Sequence, residues 1–330
     1  MRLIKSLYIC IARVHHASRK AAYQGGTFIL YTMKYSNKPL SAAELISQMK
    51  MRGLIIGNEQ QAEECLKHIS YFRLATYLRP MEADNLHHYK ENSRFENAVS
   101  IYNFDARLRH LIFAAIQKIE ISLRANMINV FSMKYGAMWF LNPDLAIDKH
   151  NYTDNLSVLE RELKRSKEDF IKEHAKKYGK EEYPPVWKLL ELASFGCLTK
   201  LFCNFSDIKI KKTIARSYSV PQHEILESWM VSIGALRNAC AHHGRVWNRI
   251  MPITPQLPQT LCNDWIVEKP IPNRLYAVLS CMLYWLNVIE PSNTFSVDLK
   301  SLLAEYPNID TNAMGFPSGW NNEKLWNCNN

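Results

Sequence analysis

The sequence predicts an all-α fold, and three kinds of observation support this prediction. Apolar residues recur at intervals of three and four over several long stretches, which is the period of an amphipathic helix. Capping residues and prolines stand at the ends of these stretches. Alternating β-branched runs of strand length are not found. With 330 residues, 47% of them hydrophobic, the chain is long enough to bury a large core.

The first 32 residues differ from the rest of the chain in charge. This extension has five basic residues and no acidic one: Arg2, Lys5, Arg13, Arg19 and Lys20. Half of the net charge of +10 therefore lies here. Two interpretations stay open: a basic RNA-binding or targeting extension, and a segment upstream of a true start at Met33. Its apolar pieces are too short and too often interrupted by charges to span a membrane.

Residues 33–94 are predicted to form an N-terminal helical subdomain. Ser41 and Glu44 have the spacing of a capping box at the start of a first helix, which ends near Gly53. A second helix is expected from Asn58 to Pro80, with these residues facing the core: Ala62, Cys65, Leu66, Ile69, Phe72 and Leu74. Aromatic and basic residues alternate beside them: Tyr71, Arg73, Tyr77 and Arg79. They suit either a surface on which RNA bases stack or a helix pair packed on the next domain.

A second domain is predicted over residues 95–290, and it is also helical. Its longest helix is expected over residues 95–131, with an apolar stripe that includes Phe104 and Leu108. Shorter helices are expected at 155–177, 186–194, 208–217, 220–240 and 274–289. Trp187 and Glu191 are expected to be structural. After Pro291 the chain is rich in asparagine, and residues 291–330 are expected to form a mobile tail.

The eight cysteines are scattered and form no C-x-x-C pair, which indicates free thiols in a reducing, cytoplasmic compartment. Zinc held by Cys240, His242 and His243 is disfavoured because no second ligand pair stands at a workable spacing. We therefore expect no metal or other cofactor. The basic charge balance gives mild support to a polyanionic partner.

The richest group of chemically useful residues is LRNACAHHGRVWNR, residues 236–249. It holds Arg237, Asn238 and His242 in the order R-N-x-x-x-H, and Asn238 and His242 lie one helical turn apart. Histidine can take or give a proton near neutral pH, and arginine offers a permanent donor fork for phosphate oxygens. Asn238 could orient the imidazole or the phosphate. Gly244 is expected to end the helix, with His242 and His243 in its last turn.

At these residues the sequence resembles the HEPN superfamily of metal-independent ribonucleases, whose signature is R, a polar residue, three further residues and H. Around them it resembles the Abi family, the bacterial abortive-infection proteins of the AbiD and AbiF type. Three blocks carry the resemblance: HISYFRLATYLRP at 68–80, YNFDARLRHLIFAAIQKIEISLR at 102–124, and RNACAH at 237–242. Within the second block the matching residues are Asp105, Arg109, Glu120 and Arg124. The resemblance implies a HEPN-like helical bundle as the catalytic domain.

The resemblance also implies an activity, endoribonucleolytic cleavage of RNA in anti-phage defence. The 2′-hydroxyl would attack the adjacent phosphorus, with Arg237, Asn238 and His242 as the catalytic residues and a 2′,3′-cyclic phosphate as product. Four further residues are expected to hold the substrate: His243, Arg245, Asn248 and Arg249. Trp247 is expected to pack rather than to stack on a base.

Glu120 and Arg124 are expected to support the site. Their spacing of one turn fits a plain intrahelical ion pair, or a role in bracing Arg237. HEPN domains commonly pair, so the resemblance implies a homodimer in which one histidine is the base and one the acid. RNA is the expected partner as substrate, a regulatory small RNA and a regulatory second protein both stay open, and no membrane partner is expected. The competing interpretation is a catalytically silent RNA- or protein-binding module, because Arg, Asn and His at a helix end also form anchoring hydrogen-bond networks.

Overall fold

A computed structural model describes residues 38–179 and 183–327, together with the backbone of two short strands, β1 (Ala22–Gln24) and β2 (Thr27–Ile29). The two strands pair in antiparallel fashion and were not predicted. The rest of the extension at residues 1–32 lies outside the described residues. All other regular elements in the described ranges are helices, so the all-α prediction is confirmed.

The first helix, α1 (Ala42–Met51), begins at the predicted capping box. The Ser41 hydroxyl accepts a hydrogen bond from the Glu44 amide at 3.3 Å, and the Glu44 carboxylate accepts one from the Ser41 amide at 2.7 Å. Two of the free amides at the helix start are thereby satisfied.

The single helix predicted from Asn58 to Pro80 is wrong, because the chain breaks before Tyr71. The structure has α2 (Glu59–His68) and α3 (Tyr71–Leu78), and the Ser70 hydroxyl caps α3 by accepting from the Arg73 amide at 3.4 Å. The break changes which residues are buried. Phe72 is 61% exposed although it was assigned to the core. Tyr77 is 2% exposed, which fits the packed helix pair and not the base-stacking surface.

The centre of the molecule is α4 (Phe95–Tyr135), a helix of 41 residues. Its predicted stripe is buried, with Phe104, Leu108 and Leu123 fully enclosed. Helices from both ends of the chain pack on it, because its length exposes more apolar surface than one neighbour can cover. The core is one continuous cluster that extends from Ile46 to Trp326.

Five helices follow α4 in the chain: α5 (Lys149–Arg165), α6 (Asp169–Tyr178), α7 (Val186–Leu189), α8 (Phe195–Asn204) and α9 (Ile208–Ser217). The single charged helix predicted over 155–177 is wrong, since the chain is extended at Ser166 and Glu168 between α5 and α6. The buried helix predicted over 186–194 is α7 with a 3-10 turn at Leu190–Leu192. Trp187 is 49% exposed, so it does not belong to the core.

Three helices complete the fold: α10 (His223–Ala241), α11 (Leu275–Ile289) and α12 (Phe295–Glu305). Residues 275–286 of α11 are all buried. The prediction of a mobile tail after Pro291 is wrong as far as residue 327, because α12 packs on α4 and Trp326 is fully buried. None of the helices in the described residues is both long and apolar enough to cross a membrane.

Candidate active site at the end of helix α10

The R-N-x-x-x-H motif lies at the carboxyl end of α10, and the left-handed residue that follows this helix comes one position before the expected Gly244. His242 is the capping residue, and His243 takes the left-handed conformation with φ +54°. The His243 amide donates to the Cys240 carbonyl at 3.0 Å, and the Gly244 amide donates to the Ala239 carbonyl at 2.7 Å. This is the hydrogen-bond pattern of a Schellman motif. The left-handed position expected at the glycine is therefore held by a histidine.

Gly244 is required for a different reason, which is close packing. A Cβ atom there would lie 3.2 Å from the Ala239 carbonyl oxygen and 3.2 Å from the Arg249 guanidinium. Because Gly244 has no side chain, the chain can turn directly beneath the end of α10.

The buried carboxylate of Asp105 connects the first two sequence blocks to the segment that follows the third. It accepts hydrogen bonds from the Tyr77 hydroxyl at 2.6 Å and from the Trp247 amide at 2.7 Å, and it pairs with Arg109. The Val246 amide donates to it at 3.1 Å. Helices α3 and α4 and the segment after α10 are thus held at one point.

The electrostatics of this cluster fit a carboxylate surrounded by donors. Burial raises the pKa of Asp105, and the hydrogen bonds from Tyr77 and Trp247 and the charge of Arg109 oppose that rise. Burial, and then the charge of Asp105, raise the pKa of Tyr77 far above its usual value, so its hydroxyl remains a donor. The sequence resemblance included Asp105, but its role was missed. The available signal was an acidic residue inside the apolar stripe, next to Phe104.

A second set of contacts fixes α3 to the motif. Arg73 donates to the His243 carbonyl at 2.6 Å, and Arg245 donates to the Thr76 carbonyl at 2.6 Å. Burial lowers the pKa of Arg245. These contacts favour the helix-pair interpretation of α3, since Arg73 supports the backbone of the candidate site.

The residues expected to hold substrate are therefore partly engaged in protein contacts. Arg245 is held by α3, Asn248 accepts from Arg274 at 3.3 Å, and Arg249 donates to the Arg245 carbonyl at 3.3 Å. The His243 side chain is exposed. Trp247 is 4% exposed, so the prediction that it packs is confirmed.

The three candidate catalytic side chains make no hydrogen bond or ion pair with any part of the chain that the structure describes. Asn238 and His242 are exposed. The Arg237 guanidinium lies 5.6 Å from the centre of the Phe113 ring, and its Nε atom is buried without a hydrogen-bond partner. Because the Nε atom is enclosed by protein, Arg237 can meet a ligand only through the rest of its guanidinium, in the pocket that the residue lines.

Glu120 and Arg124 share a pocket with Arg237. The pocket lies between α4 and α10 and has a volume of about 200 Å³. Arg124 donates to Glu120 at 3.1 Å and to the Ala193 carbonyl at 3.0 Å, and it lies 3.6 Å from Glu191. Glu120 and Arg124 thus form the intrahelical pair, and neither makes an ion pair with Arg237. Glu191 was not singled out as a member of this cluster.

Metal ligation has no structural support in the described ranges, where no group of three or more His, Cys, Asp or Glu side chains could hold an ion. Cys240 is buried, and burial raises the pKa of its thiol to about 12.

Arg237 and His242 face different directions. Five residues of an α-helix turn through about 140° beyond one full turn. Consistently, Arg237 lines the pocket against α4, and His242 is exposed at the helix end and does not line it. One chain therefore places a guanidinium and an imidazole on separate sides of the same helix end.

The comparisons with known proteins agree with the blocks described above. The family model described as Abi-like protein matches residues 64–248, which is more than half of the chain. This range contains the Asp105 cluster, the pocket and the R-N-x-x-x-H motif. Comparisons with curated proteins and with solved structures give no match. The chain therefore belongs to the Abi-like protein family.

Proposed function

We propose that this protein is an abortive-infection protein that acts as a metal-independent endoribonuclease of the HEPN type. Membership of the Abi-like family supports the abortive-infection role. The observation that carries the ribonuclease activity is the state of Arg237, Asn238 and His242. Their side chains have no hydrogen-bond partner in the described residues, although the backbone that bears them is fixed by contacts to α3 and α4.

The chemistry follows from the groups present. The 2′-hydroxyl of RNA attacks the neighbouring phosphorus while His242 takes its proton. Arg237 donates to the phosphate oxygens, on which negative charge accumulates, and Asn238 orients the phosphate or the imidazole. Because Arg237 and His242 of one chain face different directions, the two that act on one phosphate come from different copies of the chain. The bond to the 5′-oxygen breaks, leaving a 2′,3′-cyclic phosphate and a 5′-hydroxyl. Since the nucleophile is part of the substrate, proximity supplies much of the acceleration.

A second proton-transfer group is needed, because one imidazole cannot serve both ends in one step. We place it in a second copy of the chain, related by a two-fold axis, so that one His242 is the base and the other the acid. The exposure of His242 and Asn238 supports this arrangement. The test measures the cleavage rate as the protein is diluted and determines its oligomeric state by sedimentation. Monomeric protein that cleaves RNA at the full rate would contradict the two-fold arrangement.

One observation favours a different class of function, an RNA- or protein-binding module without catalysis. Arg245, Asn248 and Arg249 make contacts within the protein, which leaves fewer groups for substrate phosphates. Against this stands the absence of an anchoring network around Arg237 and His242 in the described chain. Equal RNA binding without cleavage, by wild type and variants, would favour the module.

The deciding experiment is cleavage of labelled RNA in EDTA. We expect His242→Ala to lower the rate by about 100- to 10,000-fold, because general acid–base catalysis is lost. Arg237→Ala should give a loss of about 100-fold or more, as for other donors to a developing anion. The matched controls are His150→Ala and Arg165→Ala, whose side chains are 85% and 71% exposed. Both controls should cleave at the wild-type rate.

The ends of the RNA identify the reaction. Wild type should leave 2′,3′-cyclic phosphates, and DNA of the same sequence should survive because it lacks the attacking hydroxyl. Cleavage by His242→Ala at the wild-type rate would contradict the assignment of His242 as the catalytic base. An equal loss of cleavage rate in the His150→Ala control would contradict it as well.

A further inference from the structure

The pocket between α4 and α10 contains more polar groups than phosphate binding requires. Arg237 lies at its α10 side, and α4 contributes Gln117 and Glu120 together with the apolar side chains of Phe113 and Ile121. Arg124 also lines the pocket and pairs with Glu120. Two cations, a carboxylate and a carboxamide beside apolar walls match the mixed surface of a nucleotide better than that of a phosphate alone.

Two of these polar groups have unused hydrogen-bonding capacity. Glu120 has its Oε1 atom tied to Arg124 at 3.1 Å, and its Oε2 atom contacts no donor in the described residues. The carboxamide of Gln117 likewise has no partner there, and Gln117 is exposed. The Glu120 side chain is only 15% exposed, so the neighbouring residues restrict the orientation of its free oxygen.

We propose that this pocket binds the nucleobase next to the cleaved phosphate and selects bases that carry an exocyclic amino group. This inference rests on the proposed function, which supplies RNA as the ligand. Glu120 accepts a hydrogen bond from the amino group, as carboxylates do from cytosine. Gln117 supplies the complementary donor or acceptor, Ile121 packs on the base, and Arg237 holds the adjoining phosphate.

Uracil is the base that this pocket disfavours. It has carbonyl oxygens where the other bases have an amino group, so at that position an acceptor faces the Glu120 oxygen, and the N3–H donor of uracil lies one atom further along the edge of the base. A site built to accept from an amino group discriminates against a base that lacks it, since the Glu120 oxygen loses solvent when a base binds and is then left unpaired.

The chain offers a matched pair of carboxylates for the test. Glu120 and Glu191 both contact Arg124, at 3.1 Å and 3.6 Å, but only Glu120 lines the pocket. Glu120→Gln replaces the acceptor by a group that can donate to a carbonyl oxygen. Glu191→Gln removes the same charge from Arg124 and leaves the pocket lining intact.

The experiment measures binding without cleavage. Fluorescence anisotropy measures the binding of the full chain to short single-stranded RNAs that carry adenine, cytosine, guanine or uracil at one position. Each RNA has a 2′-deoxy sugar at the scissile nucleotide, so that it cannot be cleaved. We expect wild type and Glu191→Gln to bind the uracil oligonucleotide about tenfold more weakly than the others. Glu120→Gln should bind all four within about threefold of one another.

The outcomes separate this inference from the proposed function. Equal affinity of wild type for the four RNAs, or the same change in both variants, would overturn the pocket assignment even if the protein cleaves RNA. Base-selective binding that disappears only in Glu120→Gln would uphold the pocket even if no RNA is cleaved, and would then count against the ribonuclease. Failure to bind any RNA would overturn both.

Discussion

Asp105 illustrates how one buried carboxylate can determine the geometry of a distant site. Its donors come from α3, from α4 and from the segment after α10, and no other group in the cluster can accept from all of them. Two of the donors are backbone amides, at Val246 and Trp247, which directly follow the Schellman turn that carries His242 and His243. The position of the candidate catalytic histidine therefore depends on an aspartate far away in sequence.

Replacing Asp105 by asparagine tests that dependence. Asp105→Asn leaves Arg109 without its counter-charge in a buried setting and presents an amide donor to groups that are themselves donors. We expect the free energy of unfolding to fall by about 3–5 kcal/mol, as when one partner of a buried pair is removed. Urea unfolding followed by circular dichroism provides the measurement.

Asp144→Asn is the control for this prediction, since the Asp144 side chain is 88% exposed. It should change the stability by no more than about 0.5 kcal/mol. Similar losses in the two variants would show that Asp105 does not have the structural role described here.

At the scale of the elements, the end of α4 and the start of α9 are joined by one side chain. Asp207 caps α9 by accepting from the Lys209 amide at 2.9 Å, and it also accepts from the Tyr135 hydroxyl at 2.6 Å. Hydrogen bonds from Lys134 and Tyr135 lower the pKa of Asp207 far below its usual value. The Asp207 carboxylate is therefore charged at neutral pH, and this negative charge also interacts favourably with the positive end of the α9 dipole.

The pH dependence follows from the sign of that shift. A lowered pKa in the folded state means that the stabilisation is fully present above the ordinary pKa of aspartate, about 3.9, and is lost as the pH falls toward the lower value. We expect Asp207→Asn to lower the free energy of unfolding by about 1–2 kcal/mol at neutral pH. The difference from wild type should shrink from about pH 5 toward about pH 2. A difference that stays constant over this range in chemical unfolding would contradict the assignment.

At the scale of the whole molecule, the C-terminal segment completes the core. Trp326 is fully buried, its ring stacks on Tyr276 of α11 at 5.6 Å, and its backbone carbonyl accepts from Ser296 of α12 at 2.6 Å. The segment that contains the family match is thus packed against residues that lie beyond it in the chain.

Trp326→Ala should therefore destabilise the whole protein. We expect a loss of about 3–5 kcal/mol, as for large-to-small substitutions in a core. The matched control is Trp187→Ala, because Trp187 is 49% exposed and its truncation should cost much less. Thermal and urea unfolding compare the two. A stability unchanged by Trp326→Ala would show that the C-terminal segment is not part of the cooperative core.

Local sequence signals were sufficient for much of the fold. The capping box at Ser41, the apolar stripe of α4 and the positions of α9 and α11 are set by residues a few positions apart, whose hydrogen bonds and periodicity act within one helix. The motif Arg237–His242 was also found from sequence, because its residue types and spacing are chemically distinctive.

The tertiary structure decided what depends on contacts between distant residues. Whether Tyr77 or Phe72 is buried was settled by the break at Ser70 and by the Asp105 carboxylate, and no periodicity shows this. The Asn-rich segment after Pro291 is held in place as far as residue 327 because its apolar residues pack into the core beside α11. The sequence alone determined which residues can do chemistry. Only the packing of α3, α4 and α10 decided which of them are engaged in the fold and which remain available, because burial and hydrogen bonding across the chain are non-local.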